Sequence, residues 1–358
     1  MIFKYKIIDL TSLLNHNLNV TRTIKVGVVG CGYWGPNLIR NFSACPDTQL
    51  LWACDTSPNR IKKALLSYPA VTATADYLDI LKDSCVDAVA IVTPVHTHYP
   101  LAKACLESGK HVLLEKPLAL SVSEGERLIE LAHKKGLQLM CDHTFCYTGA
   151  VRKMKEILDS GVLGKLLYFD SIRINLGLFQ QDINVIWDLA PHDLSILDFL
   201  INDRPVSVSA HGVCHAGNEI ENIAYVTLRY ANSFIAHFHL NWLSPVKIRK
   251  TIIGGSEKMM VWNDLEQDEK IKIYNKGITV KKDEEAERTR LLVSYRTGDM
   301  YAPQFDETEA LLSMVKEFAA SIAENRPALT DGEAGLRVLR VLEAADRSLK
   351  TDGANISI

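Results

Sequence analysis

Three groups of residues have the types and spacing for chemistry. Gly30-Cys31-Gly32-Tyr33-Trp34-Gly35 is a GxGxxG pattern. Its first glycine permits a tight turn, its second lets backbone approach a pyrophosphate, and its third allows close helix packing, while the following helix start holds the anion. Twenty residues after Gly35 stands Asp55, placed to accept hydrogen bonds from an adenosine ribose diol and so to favour NAD over NADP. Its other reading is a cap before Ser57-Pro58. Glu115-Lys116-Pro117 forms the second group. A lysine held extended by the next proline can offer its ammonium to a substrate hydroxyl or a developing oxyanion, or it can be a surface lysine. In the third group Asp188 and His192 are four residues apart and share one helical face, with Asp188 read as the N-cap and Pro191 in the first turn. The helix start favours the neutral imidazole and Asp188 favours the cation, which poises His192 near neutrality as a general base. A cap plus a hydrogen-bonded histidine is the plainer alternative.

These residues need elements that bring them together. Short apolar runs at 25–29, 49–54, 70–72, 88–92, 111–114 and 138–141 alternate with amphipathic stretches at 36–44, 59–67, 77–82, 99–107 and 122–134. That rhythm predicts a doubly wound parallel sheet, an α/β Rossmann architecture, in which residues just past the strand ends, Thr93-Pro94 and Glu115-Lys116, meet a ligand crevice. Gly109 and Gly136 stand where left-handed residues end helices. After Gly149 the rhythm changes. A helix at 151–158 precedes strand-like stretches at 166–175, 205–214, 223–230, 234–240, 247–254 and 258–262, interrupted by a helix starting near Asp188 and followed by helices at 307–325 and 332–349. Alternating apolar and polar residues in these strands predict an α+β domain with a large, mostly antiparallel sheet, one face covered and the other exposed or available to a partner subunit. The expected organisation is an N-terminal extension at 1–23, a cofactor domain at 24–146 and a substrate and oligomerisation domain at 147–358.

Composition limits the partners. Of 358 residues, 40 are Lys or Arg and 43 Asp or Glu, for a net charge of −3, which provides no long-range field for nucleic acid or an anionic membrane. No apolar stretch reaches the roughly 18 residues of a membrane span. The eight cysteines lack a CxxC pair and read as reduced, buried side chains of a cytoplasmic protein. The charged run at 281–290 reads as a solvated surface element.

Taken together, GVVGCGYWG, VTPVHTH, LLEKPLA and WDLAPHD resemble the Gfo/Idh/MocA oxidoreductase family over residues 24–349. The resemblance implies that Lys116, Asp188 and His192 are catalytic, that the Lys116–Pro117 peptide is cis, and that the second-domain sheet packs in a homodimer or homotetramer. Within the family, the stretches GYWGPNLIRNF, HTFCYTGAVRKMKEIL, NLGLFQQDINVIWDLAPHD, YRTGDMYAPQFDETEAL and PALTDGEAGLRVLRVLEAADRSL look like the branch of UDP-N-acetylglucosaminuronate 3-dehydrogenases of surface-polysaccharide synthesis. Glu309-Ala310-Leu311 departs from that branch's Glu-Pro-Leu. The implied chemistry is hydride transfer between a sugar secondary alcohol and NAD without a metal. In it Gly30, Gly32, Tyr33, Trp34, Gly35, Asp55, Thr93, Pro94, His96, His98, Glu115 and Lys116 bind the cofactor, His96 and His98 lining its nicotinamide side. Tyr147, Asn175 and Asn184 join Lys116, Asp188 and His192 as sugar contacts, and Arg152, Lys153 or Arg173 meet a diphosphate. The alternatives are a dehydrogenase or ketoreductase of a free polyol or another nucleotide sugar, and a dinucleotide-sensing regulatory protein.

Overall fold

The computed structural model describes residues 22–177, 183–215, 220–283 and 290–358, without the side chains of 278–283 and 290–294. Nearly all of the expected extension at 1–23, and most of the charged run at 281–290, lie outside what is described.

The first sheet contains β1 (Ile24–Val29), β2 (Thr48–Cys54), β3 (Thr72–Thr74), β4 (Ala88–Ile91), β5 (His111–Glu115) and β6 (Leu139–Asp142). All pairings are parallel and the order is β3-β2-β1-β4-β5-β6. Helices α1 (Gly35–Ala44), α2 (Pro58–Ala64), α3 (Tyr77–Lys82), α4 (His98–Glu107) and α5 (Val122–Lys135) make the crossovers. Apolar side chains fill both faces, as a sheet covered on both sides requires: Val26, Val28, Ala90 and Leu113 pack on one side and Val29, Val89, Ile91 and Leu114 on the other. Gly109 and Gly136 follow α4 and α5 at φ 77° and 64°. The shortest strand was expected at 70–72 and forms at Thr72–Thr74.

After α6 (Gly149–Asp159) come β7 (Leu166–Leu176), α7 (Val185–Leu200), β8 (Pro205–Val213), β9 (Ile223–Tyr230), β10 (Ile235–Asn241), β11 (Leu243–Gly255), β12 (Met259–Asn263) and β13 (Ile271–Tyr274). A hairpin of β14 (Gly277–Asp283) and β15 (Arg290–Arg296), then β16 (Met300–Tyr301), α8 (Ala310–Ala323), α9 (Gly332–Leu349) and β17 (Ile356–Ser357), complete the order. Among the described residues, the second sheet runs β16-β13-β12-β11-β7-β10-β9-β8-β17. Its one parallel pair is β7 with β10. Helices α7 and α9 cover one face, where Phe169, Val208, Val226 and Phe238 are buried. On the other face Tyr225 stacks on His239 at 4.6 Å, and Tyr225 and Ile235 are exposed.

The helices near the C-terminus do not stay with the second sheet. Helix α8 packs on α1 and β1, while α9 contacts α5 and β6 as well as α7 and β8. Leu311, Met314 and Phe318 of α8 belong to the same core as Val26, Val28 and Phe42.

Two local expectations change. Asn184, not Asp188, caps α7: its Oδ1 accepts the N–H groups of Ile186 and Trp187, as a cap must. Pro191 lies inside α7 rather than in its first turn. Cysteine burial also departs from expectation at two places, since Cys85 and Cys214 are exposed.

Candidate active site

The strand order reverses between β1 and β4, and at their carboxyl ends opens a crevice of about 1470 Å³ lined by Gly30, Gly32, Tyr33, Trp34, Asp55, Thr93, Pro94 and Glu115. This is where an open α/β sheet binds its ligand. Gly30 has φ 107°, and a Cβ there would stand 2.4 Å from the Val92 carbonyl oxygen. A Cβ on Gly35 would stand 2.1 Å from the Gly30 carbonyl oxygen, so the helix seats directly on the turn. Gly32 differs, because nothing lies within 4 Å of its missing Cβ. That open space leaves room for a pyrophosphate against its backbone. Asp55 accepts the Cys31 N–H on Oδ2 and the Ser57 N–H on Oδ1, both at 2.8 Å. It therefore holds the glycine turn and the start of α2 while also lining the crevice. Arg40, Arg60 and Lys63 supply cations along the walls. The residues present fit a dinucleotide.

The two histidines after Pro94 behave differently from expectation. His96 is exposed and outside the crevice lining. His98 is buried, its Nδ1 2.8 Å from the Pro117 carbonyl oxygen and its Nε2 2.9 Å from that of Thr93. It ties together the ends of β4 and β5 and does not face the cofactor. The Lys116–Pro117 peptide is cis, as the resemblance implied.

Lys116 emerges from the end of β5 and meets α7. Its Nζ donates to the Asp188 carbonyl oxygen at 2.8 Å and lies 3.5 Å from Asp188 Oδ1. Pro191 has no N–H, so the helical ladder is interrupted at the Trp187 carbonyl, one residue before the carbonyl that Lys116 uses. The indole N–H of buried Trp242 donates to Asp188 Oδ2 at 3.0 Å. The Asp188 carboxylate thus serves Lys116, and no side-chain hydrogen bond joins it to His192 among the described residues.

His192 is held neutral. Burial pushes its imidazole well below the usual histidine range, and the charges of Lys116, Arg173 and Arg249 and the His143 ring add to that. The expected balance near neutrality does not arise, because cations rather than the Asp188 carboxylate surround the ring. Its Nδ1 is buried without a partner among the described residues, and Phe145 packs edge-on against it at 5.2 Å. Arg173 and Arg249 are cross-strand neighbours, with guanidinium carbons 4.7 and 5.8 Å from the Phe145 ring centre. Sequence reasoning missed Phe145, Trp242 and Arg249. Their only signal was an apolar or long cationic side chain in a strand or turn.

Several expected substrate contacts are spent elsewhere. Tyr147 is buried, with its hydroxyl 3.0 Å from Thr330 Oγ1. Asn184 is occupied as the helix cap and by Glu221. Arg173 makes a buried bidentate pair with Asp193 at 2.6 and 2.9 Å, which removes it as a diphosphate ligand. Arg152 donates to the Cys146 carbonyl and lies over Tyr147, while Lys153 pairs with Glu156; both line a separate cavity of about 730 Å³. Asn175 shares the site-facing side of β7 with Arg173 and is half-buried.

Sheet, glycine turn and crevice define an NAD-binding oxidoreductase. Residues 24–143 match the oxidoreductase family with NAD-binding Rossmann fold, and residues 151–261 match the GFO/IDH/MocA C-terminal domain. The chain belongs to the Gfo/Idh/MocA family. It is 27% identical over 325 residues to the UDP-N-acetylglucosamine 3-dehydrogenase of Acidithiobacillus ferrooxidans, covering 88% of this chain and 94% of that one. The crystal structure of that enzyme superposes with a TM-score of 0.75, covering 92% of this chain and 98% of the other. The myo-inositol 2-dehydrogenase of Thermotoga maritima is 24% identical over 348 residues, 91% of this chain and 96% of its own. An enzyme of gentamicin A biosynthesis crystallised with NAD shares the fold, with a TM-score of 0.79 at 22% identity over 94% of this chain and 97% of that one. Among the described residues no helix is long and apolar enough to cross a membrane.

Proposed function

We propose that the protein oxidises carbon 3 of a nucleotide-linked sugar such as UDP-N-acetylglucosaminuronate, in the formation of sugars for surface polysaccharide. The observation that carries an alcohol dehydrogenation is the meeting of Lys116 with Asp188, one turn before His192 on α7. NAD, when bound, accepts the hydride. His192 enters the reaction as a neutral imidazole and takes the proton of the sugar hydroxyl. The ammonium of Lys116 has three N–H groups. Two are directed at Asp188, and the third donates to the sugar oxygen as its charge grows. Asp188, held by Trp242, sets the direction of that third donor. Asn175 is a polar group on the same side of the second sheet that can meet the sugar, and Arg249, which pairs with Asp264 at 3.4 Å, keeps a buried Nε without a partner among the described residues.

Support for a nucleotide sugar comes from the 27% identical 3-dehydrogenase. The inositol dehydrogenase relative supports a free polyol as the second reading. Purified protein incubated with NAD and a panel of UDP-sugars and polyols, followed by absorbance of the reduced nicotinamide, separates them. Reaction with a UDP-N-acetylhexosamine or its uronate is expected, and reaction with free polyols only overturns the reading. The exposed sheet face around Tyr225 and Ile235 is the surface proposed to form a homodimer or homotetramer; a monomeric mass by light scattering excludes it.

A further inference from the structure

Across the carboxyl end of the first sheet, Glu115 of β5 pairs in register with Asp142 of β6. In-register neighbours on parallel strands project to the same face of the sheet, so the two carboxyl groups stand side by side and each acts on the other. Two carboxylates sharing one buried site repel, which makes it costly for both to ionise, and one of them keeps a proton. The remaining partners agree. Asp142 Oδ2 faces the Trp34 indole N–H at 3.4 Å, and Oδ1 accepts the Thr144 hydroxyl. Glu115 Oε2 is buried without a partner, although Glu115 lines the dinucleotide crevice. Lys116 acts on Glu115 as a cation, Cys141 stands beside the pair as a neutral thiol, burial holds the neighbouring His143 ring neutral, and Trp34 and Thr144 bring no charge. Burial, and then the like charge of Asp142, raise the Glu115 carboxyl well above the carboxylate range.

Asp55 marks the adenosine end of the crevice at β2. Glu115 lies across the β1/β4 switch, on the half of the sheet left for the nicotinamide. We propose that Glu115 and Asp142 form one carboxyl pair that holds a single proton in the unliganded protein and releases it to solvent when the oxidised, positively charged cofactor binds. The pair then carries two negative charges against the cationic ring. When the ring is reduced and neutral, that attraction is gone and the pair takes a proton back. The proton that His192 takes from the hydroxyl is then matched by the one the pair takes back on reduction, so the net proton of alcohol oxidation appears in solvent when the oxidised cofactor binds.

Linkage sets the sign. A group that loses a proton on binding makes affinity rise with pH, by ~tenfold per pH unit while the free form is protonated and the bound form is not. The test is the Kd of NAD and of NADH, by calorimetry or fluorescence without substrate, from acid to alkaline pH, together with proton release on mixing with NAD in weak buffer containing a pH indicator. Wild type is expected to bind NAD more tightly as pH rises and to release up to one proton per site, with NADH affinity flat. Glu115→Gln abolishes both effects. Asp142→Asn shifts the window to lower pH, because the like charge that retains the proton is gone. Lys116→Met keeps a slope but moves its window to higher pH, because the cation that favours the deprotonated pair is gone. A flat NAD affinity in wild type, a slope that survives in Glu115→Gln, or a slope lost in Lys116→Met overturns the proposal. Each readout is binding, so none depends on which sugar is turned over.

Discussion

Trp242 donates its indole N–H to Asp188 Oδ2 at 3.0 Å while Lys116 Nζ stands 3.5 Å from Oδ1 of the same carboxylate. The carboxylate is held between a buried indole and an ammonium, and the lysine takes its direction from a residue of the second sheet. Trp242→Phe removes the N–H but keeps an aromatic ring. Expected are a fall in kcat of about tenfold, the scale of about 1.4 kcal/mol for one lost hydrogen bond to a charged group, and unchanged NAD affinity. An unaltered kcat shows that Asp188 needs no such support.

Lys116→Met and His192→Asn each remove one of the two groups assigned to the alcohol. Turnover should fall at least ~10²-fold in each, the scale of a lost general base or oxyanion donor. Equilibrium dialysis should still find NAD bound. Near-normal turnover in both variants excludes the mechanism.

The pH profile follows from how His192 is held. The active form is the neutral base, present above its pKa, and burial with surrounding positive charge depresses that pKa. Activity therefore persists toward acid, and the acid limb of kcat/KM is expected below the ~6.5 of an ordinary histidine. A limb at or above that value, abolished in His192→Asn, contradicts the depressed imidazole.

The three glycines of the turn separate folding from binding. Gly35→Ala drives a methyl into the Gly30 carbonyl and should lower both Tm and NAD affinity. Gly32→Ala meets nothing within 4 Å, so Tm should be unchanged while NAD Kd rises tenfold or more as the methyl takes space against the pyrophosphate. Equal Tm losses in both would mean that Gly32 serves packing.

The first sheet was legible because its determinants are local: apolar runs broken by Gly109 and Gly136, and the spacing from Gly35 to Asp55. Lys116 and His192 were legible because each lies at a predictable strand end or helix face. What escaped depends on distant chain. α7 starts one turn before Asp188, with Asn184 as its cap, and the Asp188 carboxylate is left to meet Lys116, a residue of another sheet. Phe145, Arg249 and Trp262 meet only when β11 and β12 pair and the turn after β6 packs on them. The strands β13 and β16, weakly apolar and short, find their order only beside β12. Tyr147 and Arg173 were misplaced for the same reason, since Thr330 and Asp193 lie in elements whose approach no spacing reveals.

The return of α8 to the first sheet and the seating of α9 on both sheets have a mechanical consequence. The chain passes between the halves after β6 and again before α8, and Arg40 of α1 clasps Glu309 at the second crossing through both guanidinium nitrogens. Two tethers with a helix wedged between the halves leave no free hinge, because swinging them apart would tear α9 from one partner. Lys116 and Asp188, which come from the two halves, are thus held facing each other by the same packing that locks the halves together.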